Sequence, residues 1–260
     1  MDTNQYNKAA WNREVERGNK WTIPVSTIEI TNARQGKWEI LLTPSKPVPS
    51  NWFPELKDLD ILCLASGGGQ QGPILAAAGA KITIIDNSPR QLEQDRLVAM
   101  RESLDLTIIE GDMTDLSVFG DQTFDVIVHP VSNIFVADVQ PVWTECSRVL
   151  RRCGVLMSGL ANPAIYLFDY KLADERGILQ VKYSLPYSDV KNLEEQELKR
   201  IIKRREPVEF SHTLDELIGG QLRAGFIITD FYEDSHPFEE NDLLSNYMQT
   251  FFATRAVKPP

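Results

Sequence analysis

The chain is short of the residues that would place it outside an ordinary aqueous globular fold. It has three cysteines in 260 residues, Cys63, Cys146 and Cys153, without the CxxC pairing of a zinc site or the density of a disulfide scaffold. They read as buried, reduced thiols. Its three histidines, His129, His212 and His236, stand far apart and do not compose a metal site. Nowhere is there a run of about 18 apolar residues, so no membrane span is expected. The start MDTNQYNKAAWNREVERGNKW lacks the charged and then apolar regions of a secretory signal, which predicts a cytoplasmic protein. Positive charge is also scarce: 27 Lys and Arg against 37 Asp and Glu leave a net charge of −10. A polyanion would meet net repulsion unless a local basic patch overrode it, which makes nucleic acid a disfavoured partner. No internal repeat is visible, and TPSKPVPS at Thr43 to Ser50 is the one short proline-rich stretch.

What is present is concentrated between Ile61 and Asp86, where ILCLASGGGQQGPILAAAGAKITIID strings together an apolar run, a glycine turn, a small-residue helix, a second apolar run and an acid. That is the order of a nucleotide-binding βαβ unit. Gly67, Gly68 and Gly69 allow a sharp turn and a close approach of backbone to ligand, and Asp86 can accept from two ribose hydroxyls. Gly67, Gly69 and Gly72 also satisfy GxGxxG, a pattern that taken alone leaves a dinucleotide cofactor open.

Apolar runs and helical segments then alternate, as in a parallel sheet covered on both faces. The pattern predicts strands at Ile61–Leu64, Lys81–Asp86, Asp105–Glu110, Phe124–His129 and Gly154–Gly159, and helices at Gln71–Ala78, Pro89–Glu102 and Val139–Leu150. Ser88 is placed to cap the helix opening with Pro89, Asp138 the one containing Pro141, and Gly79 and Gly154 fall where a left-handed residue suits a helix exit. Residues 1–50, with Trp11, Trp21, Trp38 and four prolines, read as an added N-terminal cap or lid without a long periodic element. Residues 51–160 form the cofactor-binding core. Residues 161–211 break the rhythm: LQVKYSLPYSDV and PVEFSHT read as strands separated by a charged stretch, an insertion on the substrate side. In residues 212–260 the parent pattern returns with a helix over Thr213–Ala224, a turn at Gly225, a strand over Phe226–Glu233 and a last strand near Tyr247–Val257.

Four segments in order carry a family resemblance. ILCLASGGG resembles the VLDLGCGTG-like turn of class I S-adenosylmethionine-dependent methyltransferases, IIEGDMTDL their third motif, FDVIVHPVSN their fourth strand and following loop, and SRVLRRCGVL their RVLRPGGxL helix-to-strand turn. The resemblance is close over Asn51 to Leu160 and looser at the C-terminal end. It implies an α/β, Rossmann-like doubly wound seven-stranded sheet, parallel but for one antiparallel strand near the C-terminus, with helices on both faces. It also implies S-adenosyl-L-methionine as cofactor and S-adenosyl-L-homocysteine as product. Carried over by position, Ala65, Ser66, Gly67 and Gly69 lie against the methionine portion and Asp86 binds the ribose. Asn87 packs on the adenine, and Asp112 in Gly111-Asp112-Met113 meets its exocyclic amine with Met113 as wall. His129, Pro130 and Val131 border the methyl. The chain departs from the pattern at Cys63, where the family often has an acid, and at Ala65, where it often has the first glycine.

Methyl transfer from a sulfonium needs chiefly alignment and exclusion of water. Where the acceptor must lose a proton, His129 is the candidate base, with a structural role before Pro130 as the competing reading. Asn133 either positions an acceptor or satisfies its loop. Tyr6, Trp11 and Trp21 either close over the sulfonium or pack in the core, and Tyr166, Phe168, Tyr170, Tyr183 and Tyr187 either line an acceptor pocket or form a small core. The basic run Lys199, Arg200, Lys203, Arg204 and Arg205, interleaved with glutamates, reads as a solvated helix face. The leading expectation is a monomeric or homodimeric enzyme that methylates a small molecule at nitrogen, oxygen or carbon. An RNA or protein methyltransferase and a non-catalytic nucleoside binder stand as alternatives, ahead of a nicotinamide oxidoreductase.

Overall fold

The apolar runs form one seven-stranded sheet. In the computed structural model, which describes residues 1–237 and 242–260, the strands are β1 (Asp60–Leu64), β2 (Lys81–Asp86), β3 (Leu106–Glu110), β4 (Phe124–His129), β5 (Leu150–Ala161), β6 (Ile227–Asp234) and β7 (Phe251–Val257). Their order is β3-β2-β1-β4-β5-β7-β6. Strands β1 to β5 pair in parallel, and β7 runs antiparallel to both β5 and β6. This is the Rossmann-like architecture expected from the sequence. The order reverses between β1 and β4, so a crevice opens at their carboxyl ends.

The helices are α1 (Thr3–Arg17), α2 (Thr27–Arg34), α3 (Gln71–Ala77), α4 (Pro89–Glu102), α5 (Gln140–Val149), α6 (Tyr170–Arg176), α7 (Asp189–Asn192), α8 (Glu195–Arg204) and α9 (Gly220–Arg223), the last continuing a π turn over Asp215–Gly219. Along β1 the side chains alternate between two cores. Ile61 and Cys63 pack with Ile74, Leu75 and Leu92 from α3 and α4, whereas Leu62 and Leu64 pack with Val142, Trp143 and Val149 from α5. A strand covered on both faces can be apolar throughout, which is why these segments read as continuous runs. Ser88 caps α4 by accepting from Gln91 N at 3.2 Å. Asp138 accepts from Gln140 N at 2.9 Å, although the residue flanking α5 is Val139.

Several expectations need correction. The left-handed residue before the buried half of β5 is Cys153, at φ +64°, and not Gly154. Cys153 is also exposed, in contrast to the buried Cys63 and Cys146. The insertion contains no extended strands: Phe168 pairs with Val181 and Ser188 with Phe210 as isolated bridges, and short helices alternate with irregular chain. Neither segment lies along a free edge of the sheet, so local alternation had nothing to extend. The N-terminal layer does contain a long helix. Asp2 caps α1 through Asn4 N and Gln5 N, and Gly18 ends it at φ +70°. Its buried residues are only Asn7 and Ala10, so no apolar stripe announces it.

Between α2 and β1 the chain forms a strap, with Ile40, Leu42 and Val48 buried. Leu42 O accepts from Val131 N at 3.1 Å, and Leu41 O accepts from Gln71 Nε2 at 3.1 Å. The strap presses on Gly159 of β5 so closely that a Cβ there would stand 2.0 Å from Leu42 O. Backbone cannot yield as a flexible side chain can. Gly159→Ala is therefore expected to lower unfolding free energy by about 1–3 kcal/mol, measured by denaturant titration. Gly120→Ala, whose added carbon would meet nothing nearer than Thr123 Oγ1 at 3.8 Å, is the control expected to stay near wild type.

Candidate functional site

The carboxyl ends of β1, β2 and β4, the strap, α1 and the insertion enclose a cavity of about 460 Å³. Ala65, Ser66, Gly67, Asp86 and Asn87 line it, as do Asp112, Met113, Pro130 and Trp11. Gly69, Gly111, Tyr6 and His129 stand outside its wall. Gly111 supports the wall from behind, its amide donating to Asp86 O at 3.0 Å.

The turn that ends β1 is held by carboxylates. Ala65 takes φ +46°, and its amide donates to Ile85 O at 2.8 Å. Gly67 N then donates to Asp86 Oδ2 at 3.0 Å, Gly68 N to Asp95 Oδ2 at 3.0 Å and Gly69 N to Asp95 Oδ1 at 3.0 Å. Gly68 lies at φ +120°, and a Cβ there would come within 2.7 Å of Trp21 O. Asp95 is fully buried on α4. Burial pushes its carboxyl up to about 8, the Gly68 amide pulls against this, and nearby Asp86 adds to the rise. Thus the acid that orders the turn, missing at Cys63, comes from the helix after β2. The sequence does carry a signal for it: Asp95 sits three residues from Leu92 and from Val98 on the apolar stripe of α4, where a solvated acid has no place.

Asp86 faces inward at the end of β2. Ser88 N donates to its Oδ1 at 2.9 Å, opposite the Gly67 bond to Oδ2, so each oxygen keeps acceptor capacity toward the cavity. Burial raises its pKa, while the amides of Ser88, Gly67 and Asn87 oppose that rise.

The N-terminal layer covers this end of the cavity through polar contacts. Gln70 Nε2 donates to Lys20 O and Ile23 O, both at 3.0 Å, and Val25 N donates to Gly69 O at 2.9 Å. From α1, Asn4 Nδ2 donates to Asp112 Oδ2, Lys8 pairs with Glu110, and Asn12 Oδ1 accepts from Ser88 Oγ at 2.8 Å. The Trp11 ring meets Phe135 edge-on at 5.1 Å, and both line the cavity, as does Trp21. Tyr6 takes a different part from the one expected: its hydroxyl donates to Glu206 O at 2.9 Å and ties α1 to the insertion. Asn7 makes the same connection, donating to Phe135 O and Val208 O at 3.0 Å and accepting from Val208 N at 2.9 Å.

His129, the base expected from sequence, is placed in the core. Its side chain has no exposure, Nδ1 pairs with Leu64 O at 3.0 Å, and its ring meets Trp143 edge-on at 6.2 Å. Burial drives its pKa down to about 4. The strand register turns the ring toward the α5 layer and away from the cavity. Asn133 serves its loop, donating to Gly159 O at 2.9 Å, and its own carbonyl contacts His212 Nε2 at 3.0 Å.

At the far end the cavity is bounded by Tyr166, Pro207, Glu209 and Phe251. Tyr166 OH donates to Glu209 Oε2 at 2.7 Å, and its ring stacks on Tyr187 at 5.4 Å. Of the five aromatics proposed from the insertion, Tyr166 lines the cavity; Phe168, Tyr170, Tyr183 and Tyr187 do not. Glu209 was not foreseen, because one acid between Val208 and Phe210 gives no local sign of what it faces.

A glycine turn at the switch point, an inward acid ending the second strand and this strand order define a class I methyltransferase fold. Comparison with known proteins leads to the same place. Residues 62–158 match the family described as "Methyltransferase domain". Over 253 residues, covering 97% of this chain and 97% of the relative, the sequence is 51% identical to "Uncharacterized methyltransferase YbaJ" of Bacillus subtilis (strain 168). The chain belongs to the class I S-adenosylmethionine-dependent methyltransferase family. Among solved structures it shares its fold with an S-adenosylmethionine-dependent methyltransferase from Mesorhizobium loti, with TM-score 0.61 and 17% identity over 80% of this chain and 94% of that one. A methyltransferase from Methanosarcina mazei gives TM-score 0.55 and 18% identity over 83% and 99%.

The core placement of His129 has a measurable consequence. Between pH 6.5 and 4 the unfolded chain takes up a proton there that the folded chain refuses, so acidification through that window lowers stability. The contribution is about 3 kcal/mol. His129→Gln is expected to remove that part of the pH slope, read as unfolding free energy against pH; an unchanged slope would refute the assignment.

Proposed function

We propose that the cavity binds S-adenosylmethionine and that the chain transfers its methyl group to a small-molecule acceptor at nitrogen, oxygen or carbon. The observation that carries this reading is the use of the turn amides. In a dinucleotide site such amides, at a strand-to-helix turn, are left for a pyrophosphate. Here Gly68 and Gly69 give theirs to Asp95, and among the described residues no Lys or Arg lines the cavity. A doubly charged phosphate bridge would therefore meet carboxylates without a lysine or arginine among those residues to offset them. A sulfonium with its ammonium group suits a wall that carries Glu14, Asp86 and Asp112.

In this reading Asp86 accepts from the ribose diol, and Asp112 and Met113 recognise the adenine edge, with Asn87 beside the ring. Ala65, Ser66 and Gly67 border the amino-acid tail. Asn4 holds the oxygen of Asp112 that an adenine amine would use, so the first turn of α1 shifts as the nucleoside enters, and within the cap of residues 1–50 it is α1 that acts as the lid. Trp11 and Trp21 present aromatic surface to the positive charge, worth about 0.5–2 kcal/mol. When bound, the cofactor supplies an electrophilic methyl on a good leaving group. The protein's part is to align an acceptor with it and keep water out. Closure by α1, the strap and the insertion leaves room for a small acceptor and supports that choice over a macromolecular one.

Titration calorimetry tests the cofactor class. S-adenosylmethionine and S-adenosylhomocysteine are expected to bind and NAD not to, and Asp86→Ala is expected to weaken the former roughly tenfold to hundredfold. Binding of NAD alone would reverse the assignment.

A further inference from the structure

At the far end of the cavity stands an acid, Glu209, that no Lys or Arg of the described residues pairs with. Its one side-chain partner among them is a neutral phenol, Tyr166. A second carboxylate stands behind: Asp189 Oδ2 accepts from Glu209 N at 2.8 Å, and Asp189 Oδ1 accepts from Tyr187 OH at 2.7 Å. Among the described residues neither acid enters an ion pair, and no Lys or Arg lines the cavity. Glu209 Oε1 has no hydrogen-bond donor of its own among them. Enclosed acids without a counter-charge are costly, and a cation supplied from outside relieves them. Burial first, and then Asp189, push the Glu209 carboxyl up to about 7, which suits it to both hold and take a proton near neutrality.

We infer that this end of the cavity selects a small protonated amine as methyl acceptor, with Glu209 as the catalytic residue that binds the ammonium and removes its proton. The inference rests on the methyl-transfer reading above. The same geometry argues against the other acceptor classes. A carboxylate or phosphate would face Glu209, with Asp189 behind it, and no Lys or Arg among the described lining residues to offset them. A phenol would have to become a phenolate beside the same acids. The Tyr166 ring, backed by Tyr187, offers an aromatic wall to the ammonium and its neighbouring carbons.

The step balances as follows. The ammonium R–NH3+ passes one proton to the Glu209 carboxylate, which frees the nitrogen lone pair. The nitrogen forms a bond to the methyl carbon as the sulfur–methyl bond breaks, and that electron pair stays on sulfur, which becomes a neutral thioether. The product leaves as a methylammonium, Glu209 returns its proton to solvent, and one proton is released per turnover.

The test uses the full chain and a panel matched in size: benzylamine, phenethylamine and putrescine against 4-cresol and benzoate. Binding is followed by calorimetry in the presence of S-adenosylhomocysteine, and methylation by mass spectrometry with S-adenosylmethionine. Amines are expected to bind and be methylated in preference to the other two. Glu209→Gln is expected to weaken amine binding about tenfold or more, with the affinity for S-adenosylhomocysteine unchanged and the thermal unfolding temperature not lowered. Preference for the cresol or benzoate, no binding of any amine, or amine binding indifferent to Glu209→Gln would overturn the inference. The wild-type panel decides the acceptor class even if the variant does not fold. Failure to bind S-adenosylhomocysteine at all counts against the methyl-transfer reading itself, whereas its binding without an amine preference counts against this inference alone.

Discussion

One buried carboxylate governs the site. Asp95 accepts from the amides of Gly68 and Gly69, and its neighbour Asp86 accepts from Gly67, so every amide of the glycine turn is committed to an acid of the protein. These bonds offset the strain at Ala65, which takes a left-handed conformation that costs an alanine roughly 1–2 kcal/mol. They also shape what the crevice can accept. The amides attract no external anion, and the crevice instead carries a negative field suited to a cationic ligand. The absent acid at Cys63 is in this sense relocated, from the strand before the turn to the helix after the next strand. Because that helix packs on the sheet, the position of the turn follows from core packing and not from the loop alone.

Closure of the cavity follows a different physical rule. α1 buries only Asn7 and Ala10 and is held by side-chain amides: Asn4 on Asp112, Asn7 on Phe135 O and Val208 O, Asn12 on Ser88. Such contacts exchange with water at little net cost, whereas an apolar face would not. A cover of this kind opens at a lower free energy than the sheet beneath it. The strap over β5 is the opposite case, fixed by backbone contact at Gly159 and by buried Ile40, Leu42 and Val48. One wall of the cavity is therefore rigid and the other readily displaced, which is the division a site needs if a nucleoside must enter and water then be shut out.

The two ends of the cavity share one electrostatic character. Asp86, Asp112 and Glu14 line the cavity together with Glu209, and Trp11, Phe135 and Tyr166 are among the rings that share its wall. Methyl transfer consumes a positive charge on sulfur and, for an amine, leaves it on nitrogen. A negatively charged enclosure stabilises positive charge along that path without a dedicated group at each atom. His129 has no part in this, since its ring is shut in the core against Trp143.

The sequence by itself determined the sheet, the glycine turn and the acid at position 86. Each depends on short-range facts: apolar runs of strand length, residues without Cβ, caps such as Ser88 before Pro89. Helix α1 was half legible, since Asp2 and Gly18 mark its ends, but its polar faces hide the periodicity that would have confirmed it. Only the tertiary structure decided which way His129 points, that Tyr6 staples instead of lines, and that Asp95 and Glu209 are the acids that matter. Side-chain direction on a strand depends on register with its neighbours, and the meaning of a buried acid depends on what the rest of the chain brings opposite it. Both are long-range properties: Asn7 meets Val208 across most of the chain and Leu42 meets Gly159 across nearly half of it, and no local pattern records such meetings.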